Sequence, residues 1–482
     1  MPFVVERWER QMDYFIGKEK IDLVMQESMV EETEKLIADL RDEIADNNYI
    51  EPKEYTKIGV KRGLRNEDGS GVLAGITRIA SVQGYVMLDG ERRPMPGRLI
   101  YRGINVEDLI NGFINENRWG YEETVYLLLF GSLPTQTQLD RIHSVLNQWS
   151  TLPTGFTEDM ILRAPSRDIM NKLARGVLSL YSYDRDAEDQ TLEAELFKAI
   201  RLIARTPTIV ANAYHVKEHY YDNKSLYLHR PQPELSLAEN FLYSIRHDNS
   251  FTDDEARLLD LCLVLHAEHG GGNNSAFSCR VLSSTGTDIY SAIAAAVGAL
   301  KGPKHGGANK KVMEMFTDIK EHVRDWEDDD EIKAYLRRIL NKEAGDGSGL
   351  IYGMGHAVYT LSDPRAVMLK KFARKVAEQK DCDDELELLE SVERLTPDVF
   401  FDEKESDKII CANVDMYSGF VYSMLGIPVD LYTPLFAIAR MAGWCAHRIE
   451  EVTGESNRIM RPAYRYMNKR VPYVPLIERK NA

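Results

Sequence analysis

Histidines beside glycines occur three times in this sequence of 482 residues. They lie in "LHAEHGGGNN", "GPKHGGAN" and "GMGHAVY", which contain His269, His305 and His356. Because glycine has no Cβ, these segments allow a ligand or another backbone to approach closely. Each histidine by itself could also be an inert loop residue or a metal ligand. The repetition of one pattern favours a shared functional site.

A carboxylate and several arginines could complete such a site. Asp415 begins the apolar segment "DMYSGFVYSML", where it is either a helix cap or a general base tuned by burial. Arg440 lies within the apolar segment "AIARMAGWCAH", where it needs an anionic ligand or a structural salt bridge. Arg365 lies in the first turn of a predicted helix, and Arg461 precedes a proline. Histidines, a carboxylate and arginines favour proton abstraction next to a carbonyl of a dicarboxylate substrate.

Metal chemistry is the main alternative at the first of these segments. His266 and His269 are three residues apart near a predicted helix end, where a satisfied helix-end histidine is the simpler interpretation. The HExxH spacing is absent and no CxxC pair is present, so we expect no metal site. The sequence also lacks a nucleophilic Ser or Cys with a helper residue, a Walker loop and a Rossmann glycine pattern.

The composition limits the location and the partners. Hydrophobic residues make up 44% and charged residues 28%, which is ordinary for a globular protein. The net charge of -16 argues against nucleic-acid binding, which requires a basic face. Five scattered cysteines without a CxxC pair fit a reducing compartment. No apolar run reaches membrane-spanning length and the N-terminus lacks a signal-peptide core, so we expect a cytoplasmic protein with no membrane partner.

Helical periodicity dominates from about residue 105 onward. The segment 60–105 is rich in Gly, Pro and β-branched residues, which predicts short strands and turns. Gly131 is a predicted helix C-cap, and "TPTIVANAY" reads as a helix led by its proline. Asp363 with Pro364, and Thr433 with Pro434, are predicted helix starts. The sequence therefore predicts an all-α fold with a minor β element near the N-terminus.

Several of these segments occur in the order and spacing of a known family. "LHAEHGGGN", "GPKHGGAN", "GMGHAVYTLSDPRA", "NVDMYSG" and "ARMAGWCAH…RIMRP" resemble the citrate synthase family, and the resemblance covers roughly residues 70 to 470. It implies a two-domain helical fold that closes over its first substrate. The implied divisions are an N-terminal helical arm at 1–60, a large domain at 61–307 and 416–482, and a small domain at 308–415.

The resemblance also implies an activity. The chain would be an acyltransferase that condenses acetyl-CoA with oxaloacetate and water, in a Claisen-type reaction, to give citrate and CoA. Acetyl-CoA would be a co-substrate, and no cofactor would be bound permanently. The alternatives are a 2-methylcitrate synthase, which uses propionyl-CoA, and a non-catalytic relative that only binds ligands.

Residue roles follow from the same resemblance. Asp415 would remove a methyl proton, His305 would donate a hydrogen bond to the thioester oxygen, and His356 would polarise the ketone of oxaloacetate and protonate the new alkoxide. Oxaloacetate would be bound by His269, Arg365, Arg440 and, across a homodimer, by Arg461 of the partner subunit. Ala357 stands where many bacterial members carry an arginine that helps bind CoA, so Lys408, Gly353 and Gly355 are the candidate CoA contacts.

Overall fold

The computed structural model describes residues 23–66, 69–89, 91–405, 409–454 and 458–479. Within these residues the chain forms 17 α-helices and a single three-stranded sheet, so the predicted all-α class with a minor β element is confirmed. Residues 1–22 of the predicted N-terminal arm, and Lys408, lie outside the described residues. In the part of the chain that is described, no helix is long and apolar enough to cross a membrane.

The elements are numbered in chain order. The helices are α1 (Leu23–Asn48), α2 (Pro52–Lys57), α3 (Val106–Asn115), α4 (Tyr121–Phe130), α5 (Gln136–Trp149), α6 (Ile169–Ser179), α7 (Leu192–Asp222), α8 (Leu237–Ile245), α9 (Asp253–His266), α10 (Asn274–Ser283), α11 (Ile289–Lys301), α12 (Ala308–His322), α13 (Asp329–Leu340), α14 (Pro364–Gln379), α15 (Asp383–Lys404), α16 (Val414–Met424) and α17 (Tyr432–Thr453). The strands are β1 (Ala80–Leu88), β2 (Glu91–Tyr101) and β3 (Ile104–Asn105).

Helix α17 lies at the centre of the larger group of helices. It packs against α4, α7, α9, α10 and α11. Nearly all of its residues are buried, among them Trp444 and Arg440. A helix that is buried on nearly every side is typical of a core position. Any charged side chain on α17 is therefore carried into the interior.

A second group of helices follows residue 308. Helices α12 and α14 pack against α16, and α13 packs against α15. Helix α16 therefore packs against helices that begin at residue 308 or later. The domain boundary near residue 415 stays a prediction.

The small sheet packs against the glycine-containing loop that carries His356. Strand β1 pairs antiparallel with β2, and β2 pairs with β3. A Cβ at Gly84 would lie 2.4 Å from the Val358 carbonyl oxygen, and one at Gly97 would lie 2.2 Å from that of Ser362. Only glycine allows these approaches. The sheet therefore packs directly on the loop that follows His356.

Local sequence patterns predicted the helix ends with mixed success. Asp363 accepts the N–H of Arg365 as the N-cap of α14, and Gly131 has a left-handed conformation at the end of α4, as predicted. The predicted start at Thr433 is wrong, because α17 begins at Tyr432 and the Thr433 hydroxyl donates to the Gly306 carbonyl instead. The predicted start at Pro207 is also wrong, since this proline lies inside α7.

Candidate active site

The first site histidine lies in the turn after α9. The helix ends at His266, four residues earlier than the predicted end at the glycines, and Gly270 has a φ of +84°. The Tyr101 hydroxyl on β2 lies 3.1 Å from the carbonyl oxygens of both Val264 and Glu268. This buried tyrosine fixes the turn that presents His269.

The His356 loop is joined by backbone hydrogen bonds to the start of α16. Met354 and Ala412 form an antiparallel bridge, and the Gly355 N–H donates to the Cys411 carbonyl at 2.7 Å. The Asn413 N–H donates to the Gly353 carbonyl at 2.8 Å, while the Asn413 side chain caps α16 by accepting the N–H of the residue two further on. Asp415 is therefore not the cap of its helix, and the backbone that leads into its helix is held against the His356 loop.

The hydrogen bonds of His356 define its tautomer. Its Nδ1 accepts the backbone N–H groups of Val358 and Tyr359, at 3.0 and 2.9 Å. A nitrogen that accepts two hydrogen bonds carries no proton, so the neutral ring has its proton on Nε2. The ring stacks on Tyr359 at 4.5 Å and lies edge-on to His269 at 5.3 Å between ring centroids. Nε2–H is thus left as a fixed donor.

His305 lies in the turn between α11 and α12. Its Nε2 is 2.7 Å from the Ser275 hydroxyl oxygen, which leaves Nδ1 for a ligand. The neighbouring glycines have a packing reason. A Cβ at Gly306 would lie 2.2 Å from the Leu300 carbonyl oxygen and 2.8 Å from a methyl group of Thr433. The glycines here let the turn fold onto α11 and α17.

Two buried arginines have different partners. Arg365 forms a bidentate pair with Asp363, through Nε at 3.0 Å and Nη2 at 2.7 Å. Burial alone would lower the pKa of Arg365, but Asp363 outweighs it and the pKa is raised. Arg440 donates from Nε to the His266 carbonyl at 2.5 Å, and its buried Nη2 has no hydrogen-bond partner. Arg440 is therefore the arginine with a donor left for an anion, which favours a ligand role over a structural salt bridge.

The charges of the two buried arginines act on three of the candidate groups. Burial raises the pKa of the partly buried Asp415 to about 6, against the opposing charges of Arg365 and Arg440. Burial and Arg440 lower the pKa of His305 to about 4. Burial and Arg365 likewise lower the pKa of His356 to about 4. At neutral pH the site combines neutral imidazoles with a carboxylate whose pKa lies near the working range of a general base.

His269 is the most deeply shielded of the three histidines. Burial lowers its pKa well below the usual value, and the charges of Arg365 and Arg440 act in the same direction. Its Nε2 is buried without a hydrogen-bond partner, so it is free to bind a ligand. His266 places Nδ1 at 2.8 Å from the Cys262 carbonyl oxygen, but its Nε2 is also buried without a hydrogen-bond partner, so the expected satisfied helix-end histidine is only half satisfied.

The remaining predicted contacts are less closely associated with this cluster. Arg461 lies on the exposed segment 458–479, where no hydrogen bond or ion pair of the described residues joins it to the other candidate residues. Gly353 has a packing role, since a Cβ there would lie 2.7 Å from the Met416 sulfur. At Gly355, with a φ of +90°, no atom of the described chain would contact a Cβ, so its Cα faces open space.

Supporting residues were missed by sequence reasoning. Glu268 is fully buried and lies 2.9 Å from His447 Nε2, and Arg280 lies 3.2 Å from Nδ1 of the same histidine. A Cβ at Gly443 would lie 2.1 Å from the Glu268 carboxylate, so a glycine is required there. Arg65 was also missed, and its charge contributes to the low pKa of His356. The buried Glu beside His269 was the available signal, because a buried carboxylate requires a partner.

The fold and the site together define a helical protein whose buried histidines, arginines and carboxylate suit carbon-acid chemistry on an anionic substrate. A family model described as "Citrate synthase, C-terminal domain" matches residues 68–463. A citrate synthase of Synechocystis is 34% identical over 85% of this chain and 93% of its own length. This chain belongs to the citrate synthase family.

Two further relatives bear on what the site does. A Bacillus subtilis protein named citrate/2-methylcitrate synthase is 35% identical over 73% of this chain and 86% of its own length. The ternary complex of carboxymethyl coenzyme A and oxaloacetate with the citrate synthase of Thermoplasma acidophilum has a TM-score of 0.71. It is 28% identical, and the match covers 87% of this chain and 99% of that one.

Proposed function

We propose that this chain condenses acetyl-CoA with oxaloacetate and water to give citrate and CoA. Membership of the citrate synthase family supports an enzyme that catalyses a condensation. The observation that carries the finer proposal is Asp415, a partly buried carboxylate with a pKa of about 6 beside the His356 loop. A base of this pKa is ionised at neutral pH and is still basic enough to remove a proton activated by a neighbouring carbonyl.

The first half of the reaction needs a base for the methyl proton and a hydrogen-bond donor for the thioester oxygen. Asp415 takes a proton from the methyl group of acetyl-CoA, and the charge that develops moves to the thioester oxygen. Because Ser275 occupies Nε2 of His305, a proton on Nδ1 is the one available to that oxygen. A neutral donor matches a developing enolate, and burial keeps His305 neutral.

The second half needs a polarised ketone and anion binding. His356 Nε2–H donates to the ketone oxygen of oxaloacetate, whose carbon is attacked by the nucleophilic carbon of the enolate. The resulting alkoxide takes a proton from His356, and water then cleaves the citryl thioester to release CoA. His269, Arg365 and Arg440 bind the oxaloacetate, with the unpartnered Nη2 of Arg440 directed at a carboxylate.

The wider assembly is part of the proposal. The family supports oxaloacetate and acetyl-CoA as substrates and no permanent cofactor. We assign Arg461 of the partner subunit in a homodimer to the oxaloacetate site, and Lys408, Gly353 and Gly355 to CoA. The division into a small domain at 308–415 and a large domain around it, and a cytoplasmic location, also remain proposals.

Release of CoA thiol from acetyl-CoA and oxaloacetate tests the activity. Asp415→Asn keeps the shape but removes the base, so kcat should fall by at least about 10²–10⁴-fold, the contribution typical of one acid–base group. Asp39→Asn, on the exposed surface of α1, is the control and should retain full activity. Thiol release that is equally fast in Asp415→Asn would refute the role of Asp415.

The name of the Bacillus subtilis relative supports 2-methylcitrate synthesis as a second candidate. One extra methylene in an apolar pocket changes binding by only about 1–3 kcal/mol, so both thioesters are expected to react. The ratio of kcat/KM for acetyl-CoA and propionyl-CoA decides which activity dominates. No release with either thioester would instead support a ligand-binding protein without catalysis.

A further inference from the structure

A cluster of histidines lies where α7 ends, outside the candidate active site. His215 and Glu218 are one turn apart on α7, and His247 follows the end of α8. Residues three apart on a helix lie on the same face, so His215 and Glu218 point to the same place. One ligand atom from each of the three side chains lies within 4.8 Å of the other two. His229, on the connection between the helices, has its ring centroid 6.0 Å from that of His215.

The hydrogen bonds of His215 leave a lone pair facing a carboxylate. Its Nε2 lies 2.8 Å from the Ser244 carbonyl oxygen, which can only accept, so Nε2 carries the proton. The other nitrogen, Nδ1, is buried without a hydrogen-bond partner and lies 3.5 Å from Glu218 Oε2. The residue is only 1% exposed. Two electron-rich atoms face each other here with no proton between them.

A bound cation would give the unpartnered nitrogen a partner. His215 Nδ1 and the Glu218 oxygen 3.5 Å away would share it, and the same oxygen lies 3.3 Å from His247 Nε2.

The spacing of the ligand atoms fits a tetrahedral transition-metal ion. Ligand atoms about 2.0–2.1 Å from Zn²⁺ lie about 3.3–3.4 Å from one another in a tetrahedron. Glu218 Oε2 lies 3.5 Å from His215 Nδ1 and 3.3 Å from His247 Nε2. His229 also has a buried Nε2 without a hydrogen-bond partner, but it is outside the group of three side chains whose ligand atoms lie within 4.8 Å of one another.

Neighbouring residues form hydrogen bonds to these ligands, as is usual around metal-binding side chains. A metal-bound histidine commonly donates its second N–H to a carbonyl, as His215 does to Ser244. The other oxygen of Glu218 accepts from the Tyr214 hydroxyl at 2.8 Å and from Lys224 at 2.5 Å. The carboxylate is therefore fixed with a single oxygen toward the histidines. His247, whose side chain is 44% exposed, provides access from solvent.

We propose that His215, Glu218 and His247 bind a divalent transition-metal ion such as Zn²⁺. Nitrogen-rich ligand sets of this kind suit zinc, copper and nickel rather than magnesium or calcium. Three protein ligands leave the fourth tetrahedral position to a water molecule. The ion would join the end of α7 to the residue that follows α8 closely in the chain.

Metal content and thermal stability test this site without any assay of turnover. The full chain, free of any affinity tag, is treated with EDTA, desalted, and titrated with ZnCl₂ and separately with CoCl₂. We expect one Zn²⁺ per chain to remain after a second desalting, together with the strong visible absorption of tetrahedral Co²⁺. The Tm should rise with Zn²⁺ concentration, because the ion binds the folded chain.

Two matched variants localise the ion. His247→Gln removes an exposed ligand and should weaken Zn²⁺ binding on the order of 100-fold or more, since even the loss of an outer partner costs 10–100-fold. His322→Gln removes a histidine of similar exposure, 49%, which also lies beside a carboxylate, at 3.5 Å from Asp318. It should bind Zn²⁺ as the original chain does. No retained Zn²⁺ in the original chain, or equal binding in both variants, would overturn the proposal.

Discussion

Replacing Asp415 by asparagine should stabilise the folded chain while removing its activity. The carboxyl has a pKa of 3.8 in an unfolded chain and about 6 in the fold, mainly because it is buried. At pH 8 both states are ionised, and the folded state bears the cost of a buried charge. With about 1.4 kcal/mol for each pKa unit, this cost is about 3 kcal/mol. Asparagine has nearly the same shape and no charge, so the cost disappears.

The sign of the pH dependence follows from the direction of the pKa change. A carboxyl with a raised pKa destabilises the fold above its unfolded pKa, and the penalty disappears as the pH falls below that value. The gain in the free energy of unfolding for Asp415→Asn should therefore shrink from about 3 kcal/mol at pH 8 to about 1.6 kcal/mol at pH 5. An unfolding entropy of about 2.1 cal/mol/K per residue converts this into Tm increases of about 3 °C and about 1.6 °C.

Differential scanning calorimetry without substrates measures both increases. Asp39→Asn, on an exposed helix face, is the control and should leave the Tm at pH 8 unchanged. A Tm of Asp415→Asn that equals or falls below that of the original chain at pH 8, or a gain that grows toward pH 5, would refute the reasoning. The same pKa predicts how the activity depends on pH. The kcat/KM of the original chain should fall about tenfold for each pH unit below about 6, because the base becomes protonated.

Substitutions at four further positions test separate parts of the structure. Glu255→Gln should lower the free energy of unfolding by about 3 kcal/mol at pH 7 and by less at pH 3 in calorimetry, because hydrogen bonds outweigh burial and lower the pKa of this carboxyl to about 2. Ser275→Ala removes the partner of His305 Nε2 and should lower kcat in the thiol-release assay about tenfold, the loss of one hydrogen bond, with recovery in Ser275→Thr. Gly306→Ala should cost about 1–3 kcal/mol, since its Cβ would lie 2.2 Å from a carbonyl oxygen. Gly298→Ala, at an open position in α11, should instead raise stability by about 0.5–1 kcal/mol in denaturant titrations.

The sequence predicted the class of fold because its information is local and repeated. Apolar residues recur at helical spacing over most of the chain, and the strand-like segment before residue 105 stands apart from them. The motif "SDPRA" likewise predicted a helix start that is confirmed, since Asp363 caps α14. Patterns that depend on a few neighbours in the chain were sufficient in these places.

The same local pattern failed where a distant contact competes for the side chain. Thr433 with Pro434 resembles Asp363 with Pro364, but the Thr433 hydroxyl donates to the Gly306 carbonyl, 127 residues away. Pro207 looks like a helix start, yet α7 runs through it, and the Thr206 hydroxyl donates to the Leu202 carbonyl inside the same helix. The contact at Thr433 is a tertiary one with no local sign in the sequence, whereas the hydrogen bond beside Pro207 lies within α7 itself.

The candidate site likewise combines features that the sequence predicted with features that depend on distant contacts. The residue types predicted which side chains matter, and the family likeness supplied their roles. The tautomer of His356 could not be predicted, because it depends on two backbone N–H groups that fold back onto its ring. The support of His305 by Ser275, 30 residues apart, required the packing of two separate turns. The histidine cluster at the end of α7 was missed, because its members are spread from 215 to 247.

The bridge between Met354 and Ala412 has a practical consequence for following motion in solution. Backbone hydrogen bonds join the His356 loop to the start of the helix that carries Asp415, so these two groups should keep a constant separation. His305 stands on a different turn, which is tied through Thr433 to the central helix. The distance from a spectroscopic label near His356 can therefore be measured to two positions, one on α16 and one on the His305 turn. Its distance to α16 reports the noise of the measurement, and its distance to the His305 turn reports relative movement of the two turns.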